Sequence, residues 1–224
     1  MKLTKLIAAL ALAVGLSACA SSGPISETAT RSAADASSTL VAPELTARSA
    51  DWRLADVRVR VSGDLRVSEA NRYYPIADIV WREDPFGDRR AQVAKILDDG
   101  MTAGLNHLNG SRPVFFDVDL SRFHSLSEKA RYSVGGVHNI EFTLTVIDAA
   151  TGVALHGPID MEIDLKAYGG EQAFAAERQG LTQKVRIQNH LASSMRKAFN
   201  GGQEMRVVTR TAVVAQDIYT GAAQ

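Results

Sequence analysis

"HNIEFTLTVIDAATGVALHGPIDMEIDL", His138 to Leu165, alternates apolar and polar side chains, pauses, and then alternates again. Ile140, Phe142, Leu144 and Val146 share one side of the first run, and Ile159, Met161, Ile163 and Leu165 share one side of the second. A period of two places successive side chains on opposite faces of an extended chain, so each run predicts a strand with one buried and one wet face. Ala149 to Gly152 between them has the composition of a tight turn, which makes the pair a β-hairpin. Such a hairpin cannot bury its apolar face alone, and the rest of the chain must supply both further strands and a covering layer.

Working towards the N-terminus, "PVFFDVDL" (Pro113–Leu120) sets Val114, Phe116, Val118 and Leu120 against Phe115, Asp117 and Asp119. "WRLADVRVRV" (Trp52–Val61) starts on Trp52 and Leu54 and continues on Val57, Val59 and Val61. That change of phase predicts a β-bulge near Ala55 and Asp56, with Arg58 and Arg60 on the opposite face. "IADIVWR" (Ile76–Arg82) is a short candidate strand. Between these runs the period changes to three and four. Asp88 is placed to cap a helix from Arg89 to about Leu108, with Val93, Ile96, Leu97, Met101, Leu105 and Leu108 as its stripe. Gly100 and Gly104 lie on one face of it and predict close packing onto the sheet. Ser125–Tyr132 predicts a short helix. Glu171–Phe199 predicts a long one, striped by Phe174, Leu181, Val185, Ala192, Met195 and Phe199, bent at Gly180 and ended by Gly201. The order predicts an α+β fold: one two-layer domain, an antiparallel or mixed sheet covered by two helices, over residues 51–202. Residues 203–224 form a C-terminal tail with a weak strand pattern, "MRVVTRTAVV".

The chain has 224 residues, 46% hydrophobic and 22% charged, with Lys plus Arg and Asp plus Glu both at 25. That balance offers no basic surface for nucleic acid, and no nucleic-acid partner is expected. Residues 1–18 stand apart. Lys2 and Lys5 precede the apolar run Leu6–Leu16, the pattern of a secretory signal peptide. That run is too short for a bilayer core of about 30 Å, which takes ~20 helical residues. It ends in Leu16-Ser17-Ala18-Cys19, which resembles the lipobox of bacterial lipoproteins: a leucine, two small residues and the cysteine that accepts lipid. The resemblance implies a mature chain from Cys19 to Gln224 anchored in the membrane by diacylglycerol and a further acyl chain such as palmitate. More than one chain is what stable anchoring requires. Ala20 stands where an aspartate would mark inner-membrane retention, so the resemblance implies the outer membrane, facing the periplasm. Cys19 is the only cysteine, so after lipidation no thiol remains for catalysis, zinc or a disulfide. Residues 19–50, rich in Ser, Ala and Thr, read as a lipidated N-terminus and flexible tether with a reach of roughly 30 Å.

No nucleotide-binding glycine loop, zinc-protease helix or serine-hydrolase elbow occurs, so no enzymatic activity, cofactor or metal is expected. One constellation supports a minor alternative: Asp117 and Asp119 on one strand face, with His124 and His138, could serve a metal-dependent hydrolase. The segment Asn71–Arg90, "NRYYPIADIVWREDPFGDRR", concentrates Tyr73, Tyr74, Trp81 and Phe86 with Arg82 and Arg89. Aromatics with arginines favour interfaces and also stack on sugars, so these six residues are the expected partner surface. The alternative there is a module that binds envelope glycan or lipid through Tyr73, Tyr74 and Trp81.

Three stretches, "ADIVWREDPFGDRRAQV", "YSVGGVHNIEFTLTVIDAATG" and "YGGEQAFAAERQGLTQKVR", resemble a lipoprotein family of alphaproteobacteria of the Rhodobacter group across nearly the whole mature domain. That resemblance carries no catalytic residue with it. In architecture alone, a lipobox, a tether and a body of this size also resemble the auxiliary lipoproteins of ABC lipid-transport systems. Both imply a non-enzymatic envelope lipoprotein that binds another envelope protein in transport or assembly.

Overall fold

The computed structural model describes residues 48–200. The signal peptide, Cys19, most of the tether and the C-terminal tail lie outside the described residues. The elements follow in the order β1 (Trp52–Val61), β2 (Ile79–Val80), α1 (Arg89–Leu105), β3 (Arg112–His124), α2 (Glu128–Arg131), β4 (Gly136–Asp148), β5 (Ala154–Ala167), α3 (Gly170–Arg178) and α4 (Gln183–Phe199). They form one mixed sheet in the order β1-β3-β4-β5. β1 runs parallel to β3, while β3–β4 and β4–β5 are antiparallel. β2 pairs parallel with the last residues of β3, beyond the point where β1 stops.

The fold class is the expected α+β one, with the apolar face of the sheet covered by α1 and α4. The bulge falls where the phase change put it, between Leu54 and Asp56. A second bulge, between Leu120 and Arg122, escaped the pattern. It moves the core-facing position from even to odd numbers, so Phe123 is buried and β3 runs on to His124 rather than stopping at Leu120. The expected strand Ile76–Arg82 shrinks to two residues, and Ile76 is exposed.

Asp88 caps α1 as expected, its carboxylate accepting from the backbone N–H groups of Arg90 and Ala91. Gly100 and Gly104 face α4 rather than the sheet: a β-carbon on Gly104 would stand 2.5 Å from the Ala192 carbonyl oxygen. The single long helix of the sequence reading is two helices. Gly180 takes φ +76°, a left-handed turn that ends a helix, and Thr182 starts the next by accepting from the Val185 N–H. The break resets the phase, and the buried stripe of α4 is Gln183, Ile187, Leu191, Met195 and Phe199. Of the expected stripe, Phe174 and Leu181 are exposed and Val185 and Ala192 only half-buried. At the lower edge of the core, Phe199 meets Phe116 edge-on at 5.3 Å and Trp52 at 6.2 Å.

Candidate functional site

The segment singled out in the sequence divides into residues that brace the fold and residues that it displays. In Trp81-Arg82-Glu83-Asp84, consecutive side chains reach different elements. Trp81 is wholly buried, edge-on to Phe123 at 5.8 Å, and its indole N–H donates to Asp84 at 2.8 Å. Arg82 donates to Glu69 at 2.6 Å and to Glu128 of α2 at 3.0 Å. Glu83 accepts from the backbone N–H of Lys184 in the first turn of α4 and pairs with Arg131 at 3.1 Å, so a carboxylate sits where the helix dipole favours one. Asp84 pairs with the Lys184 ammonium at 2.9 Å.

Arg89, also buried, donates to Glu69 at 2.7 Å and to the carbonyls of Asp84 and Pro85. Glu69 therefore holds two guanidinium groups, and its hydrogen bond with Arg89 holds its carboxyl below the usual glutamate range. Burial pushes Asp84 up, but the Trp81 indole and Lys184 outweigh it and hold the group below the usual range. Trp81, Arg82 and Arg89 are thus braces rather than the partner surface expected of them. Their charges and ring are used inside the molecule, where desolvated groups need partners. A ring with no exposed face cannot stack on a sugar, which removes Trp81 from the glycan reading as well.

What the braced loops display is apolar. Tyr74 and Phe86 are 85% and 86% exposed, Ile76 is 88% exposed, and Tyr73 is partly exposed over the Lys129 ammonium at 4.5 Å. Ile76 was not among the expected surface residues, because its place in an apolar run reads as strand. A second group adjoins through α2: Tyr132 stacks on Phe174 of α3 at 5.0 Å, Val134 is exposed in the loop after α2, and Val137 is exposed at the start of β4. The loop of Tyr73 and Tyr74 is tied to α2 by Ser127, whose hydroxyl donates to the Arg72 carbonyl at 2.6 Å. Asn71 also accepts from the Lys129 N–H at 2.7 Å. Beside this lies a shallow cleft lined by Arg131, Tyr168, Glu177, Leu181, Gln183 and Arg186, with the Arg186 guanidinium stacked 3.5 Å from the Tyr168 ring centre.

The four residues of the hydrolase alternative do not meet. Asp117 and Asp119 lie on the open face of the sheet, where Arg58 and Arg60 occupy them: Arg60 grips Asp119 through two bonds of 2.6 and 2.7 Å and reaches Asp117 at 3.0 Å. Arg60 accordingly holds the Asp119 carboxyl below its usual range. His138 is buried on the core side of β4, its Nδ1 2.9 Å from the Ser125 hydroxyl. Burial first, then the charges of Arg186, Arg131 and His190, push its pKa down to about 3. His124 has its Nε2 2.9 Å from the Pro75 carbonyl oxygen. Strand alternation puts the aspartates and His138 on opposite faces, which a linear sequence that spaces them closely conceals. Among the described residues, no group of three or more His, Cys, Asp or Glu could hold a metal ion.

Taken together these features define a single-sheet α+β domain with a braced, apolar set of loops at one end. The chain belongs to the Family of unknown function (DUF6778), whose pattern matches residues 52–215. It is also similar to a solved structure described as a "putative lipoprotein" from Caulobacter crescentus CB15, at 11% identity and a TM-score of 0.34, over 70% of this chain and 94% of that one. No curated protein matches the chain.

Proposed function

We propose that the protein is a non-enzymatic envelope lipoprotein, anchored through lipid on Cys19, whose folded domain binds another component of the envelope in transport or assembly. The observation that carries the binding role is the exposure of Tyr73, Tyr74, Ile76 and Phe86 on two loops that the Arg82–Glu69–Arg89 network ties together. Exposed apolar patches on a rigid support mark interaction sites, because a surface already in its bound shape loses little conformational entropy on binding. The lipobox at Leu16–Cys19 supports the anchor, and the tether composition of residues 19–50 supports a domain that stands off the membrane. In the described residues no helix is long and apolar enough to cross a membrane. Ala20 after the cysteine favours the outer membrane.

Fractionation of cells producing Cys19→Ser tests the anchor. The variant is expected in the soluble periplasmic fraction, and an unchanged membrane fraction overturns this part of the proposal. Chemical crosslinking of the lipidated protein in cells, followed by mass spectrometry, tests the binding role. A reproducible complex with an envelope component is expected, and monomer alone under several crosslinkers overturns it.

A further inference from the structure

The exposed apolar surface and the points where the chain enters and leaves the domain lie at opposite ends of the sheet. β1 and β3 run parallel and β5 lies two antiparallel steps from β3, so β1, β3 and β5 finish, and β4 begins, at one end. The connectors there are the loops around Tyr74 and Phe86, α2 with Tyr132 and Val134, and α3 with Phe174. Except for Val153 in the β4–β5 turn, every large hydrophobic side chain that the described residues expose belongs to this end. At the other end β1 starts at Trp52 and α4 finishes at Phe199, beside Trp52. The Phe199 carbonyl there accepts from the Ser49 hydroxyl at 2.8 Å.

Charge at the apolar end is also uneven. The five carboxylates of Glu69, Glu83, Asp84, Glu128 and Glu177 share the four cations Arg82, Arg89, Arg131 and Lys184. Arg72, Arg90, Lys129, Arg178 and Arg186 make no ion pair with a carboxylate of the described residues, and Asp64, Asp88 and Glu171 offset only part of them.

Resting on the reading of Cys19 as the lipid anchor, we propose that this end docks an envelope protein through a segment carrying apolar side chains flanked by acidic ones, on the side facing away from the anchoring membrane. Strands of 13 and 14 residues, at about 3.3 Å per residue, set the apolar end some 40 to 45 Å from where the chain enters. Between Cys19 and the described domain the sequence has residues 20–47, and a random coil of that length averages roughly 30 Å. Laying the apolar end on the anchoring bilayer would require the domain to invert and the intervening chain to reach back over its whole length, farther than that average. A protein partner approaching from the periplasm meets the same surface with no such constraint. Arg72, next to Tyr73 in the chain, and Lys129, over the Tyr73 ring, are the unpaired cations nearest the apolar contact, and they select acidic groups around it.

The test uses the full lipidated protein in cells, with the photocrosslinker p-benzoylphenylalanine placed at Tyr74, Ile76 or Phe86. Controls carry it at Thr145 on the open sheet face and at Val153 at the opposite end. Irradiation is expected to join all three apolar-end positions to one and the same second protein, through a peptide rich in apolar and acidic residues, with at least tenfold less product at the controls. Lys129→Glu is expected to lower the yield severalfold, with an unchanged thermal unfolding curve. Adducts to phospholipid, adducts to a second copy of this chain, equal yield at the controls, or no adduct would each overturn the proposal. Membrane fractionation of the same cells separates the two readings. Protein that stays attached without adducts defeats the docking surface alone, and soluble protein that still forms them defeats the anchor alone.

Discussion

At the scale of single residues, the tightest constraint on the helix layer comes from a missing side chain. A methyl group on Gly104 would meet the Ala192 carbonyl oxygen at 2.5 Å and the Met195 β-carbon at 2.9 Å, so α1 and α4 would have to separate. Ala gains about 1 kcal/mol over Gly in helix propensity, but overpacking of this kind costs about 1–3 kcal/mol and falls on backbone that cannot rotate away. Gly104→Ala is therefore expected to lower the urea midpoint, and Gly100→Ala, whose new contacts begin at 3.0 Å, to lower it less.

His138 acts on stability through protons. Its folded pKa of about 3 lies below the ordinary 6.5, so the unfolded chain takes up a proton that the folded chain refuses. The stability it contributes is complete above pH 6.5 and is lost as pH falls from there towards 3, at up to about 1.4 kcal/mol per pH unit. His190 is shifted in the same direction, by burial and by Lys197 and Arg186, and adds to the slope. The paired carboxylates lose their contribution only in the acid range below their ordinary values, so pH 6.5 to 4.5 belongs to the histidines. Urea titrations across that window are expected to show a clear fall for the native protein and a flatter line for His138→Gln.

At the scale of elements, Glu69 ties two parts of the chain that share no strand pairing. Its carboxylate receives Arg82, which also grips α2, and Arg89, the first residue of α1. Removing it leaves Arg89 buried with carbonyl and Gln92 acceptors but no counter-charge. Breaking a fully buried pair costs about 3–5 kcal/mol, and the partial exposure of Glu69 brings the expectation for Glu69→Ala to about 2 kcal/mol. Hydrogen exchange is expected to quicken in residues 66–88 well before it does in β3 and β4, because the loop loses its brace while the sheet keeps its ladder.

Elements were legible in the sequence where period alone decides them. The hairpin, the bulge in β1 and the Asp88 cap stand where alternation and capping chemistry put them. At Gly180 the sequence predicts a bend, where the structure has a full break. Apolar residues at helical spacing continue across it, and only the left-handed backbone at that glycine shows that the phase restarts.

At the scale of the whole molecule, the domain is polarised, with both chain exits at one end and the exposed apolar side chains at the other. Surface substitutions away from buried features change stability by less than about 0.5 kcal/mol. Tyr74→Ser combined with Ile76→Asp is accordingly expected to leave the melting temperature within error while abolishing the crosslinked complex. Trp81→Ala, aimed at the same stretch of sequence, is expected to cost about 3–5 kcal/mol through the cavity it opens, and to lose the complex only by unfolding. Circular dichroism melts beside crosslinking yields separate the two behaviours.

The expectation of a partner surface at these six residues rests on residue type, and type does not tell a displayed aromatic from a buried one. Sequence alone determined the α+β class, most of the run of strands and helices, and the single cysteine behind its signal-like segment. These depend on the spacing and composition of neighbouring residues. Only the tertiary structure decided that Trp81, Arg82 and Arg89 turn inward while Tyr74, Ile76 and Phe86 turn outward, and that Asp117 and His138 occupy opposite faces. Partners such as Glu69, Glu128 and Lys184 lie up to about a hundred residues away, and a charge is a brace or a contact according to what stands beside it in space.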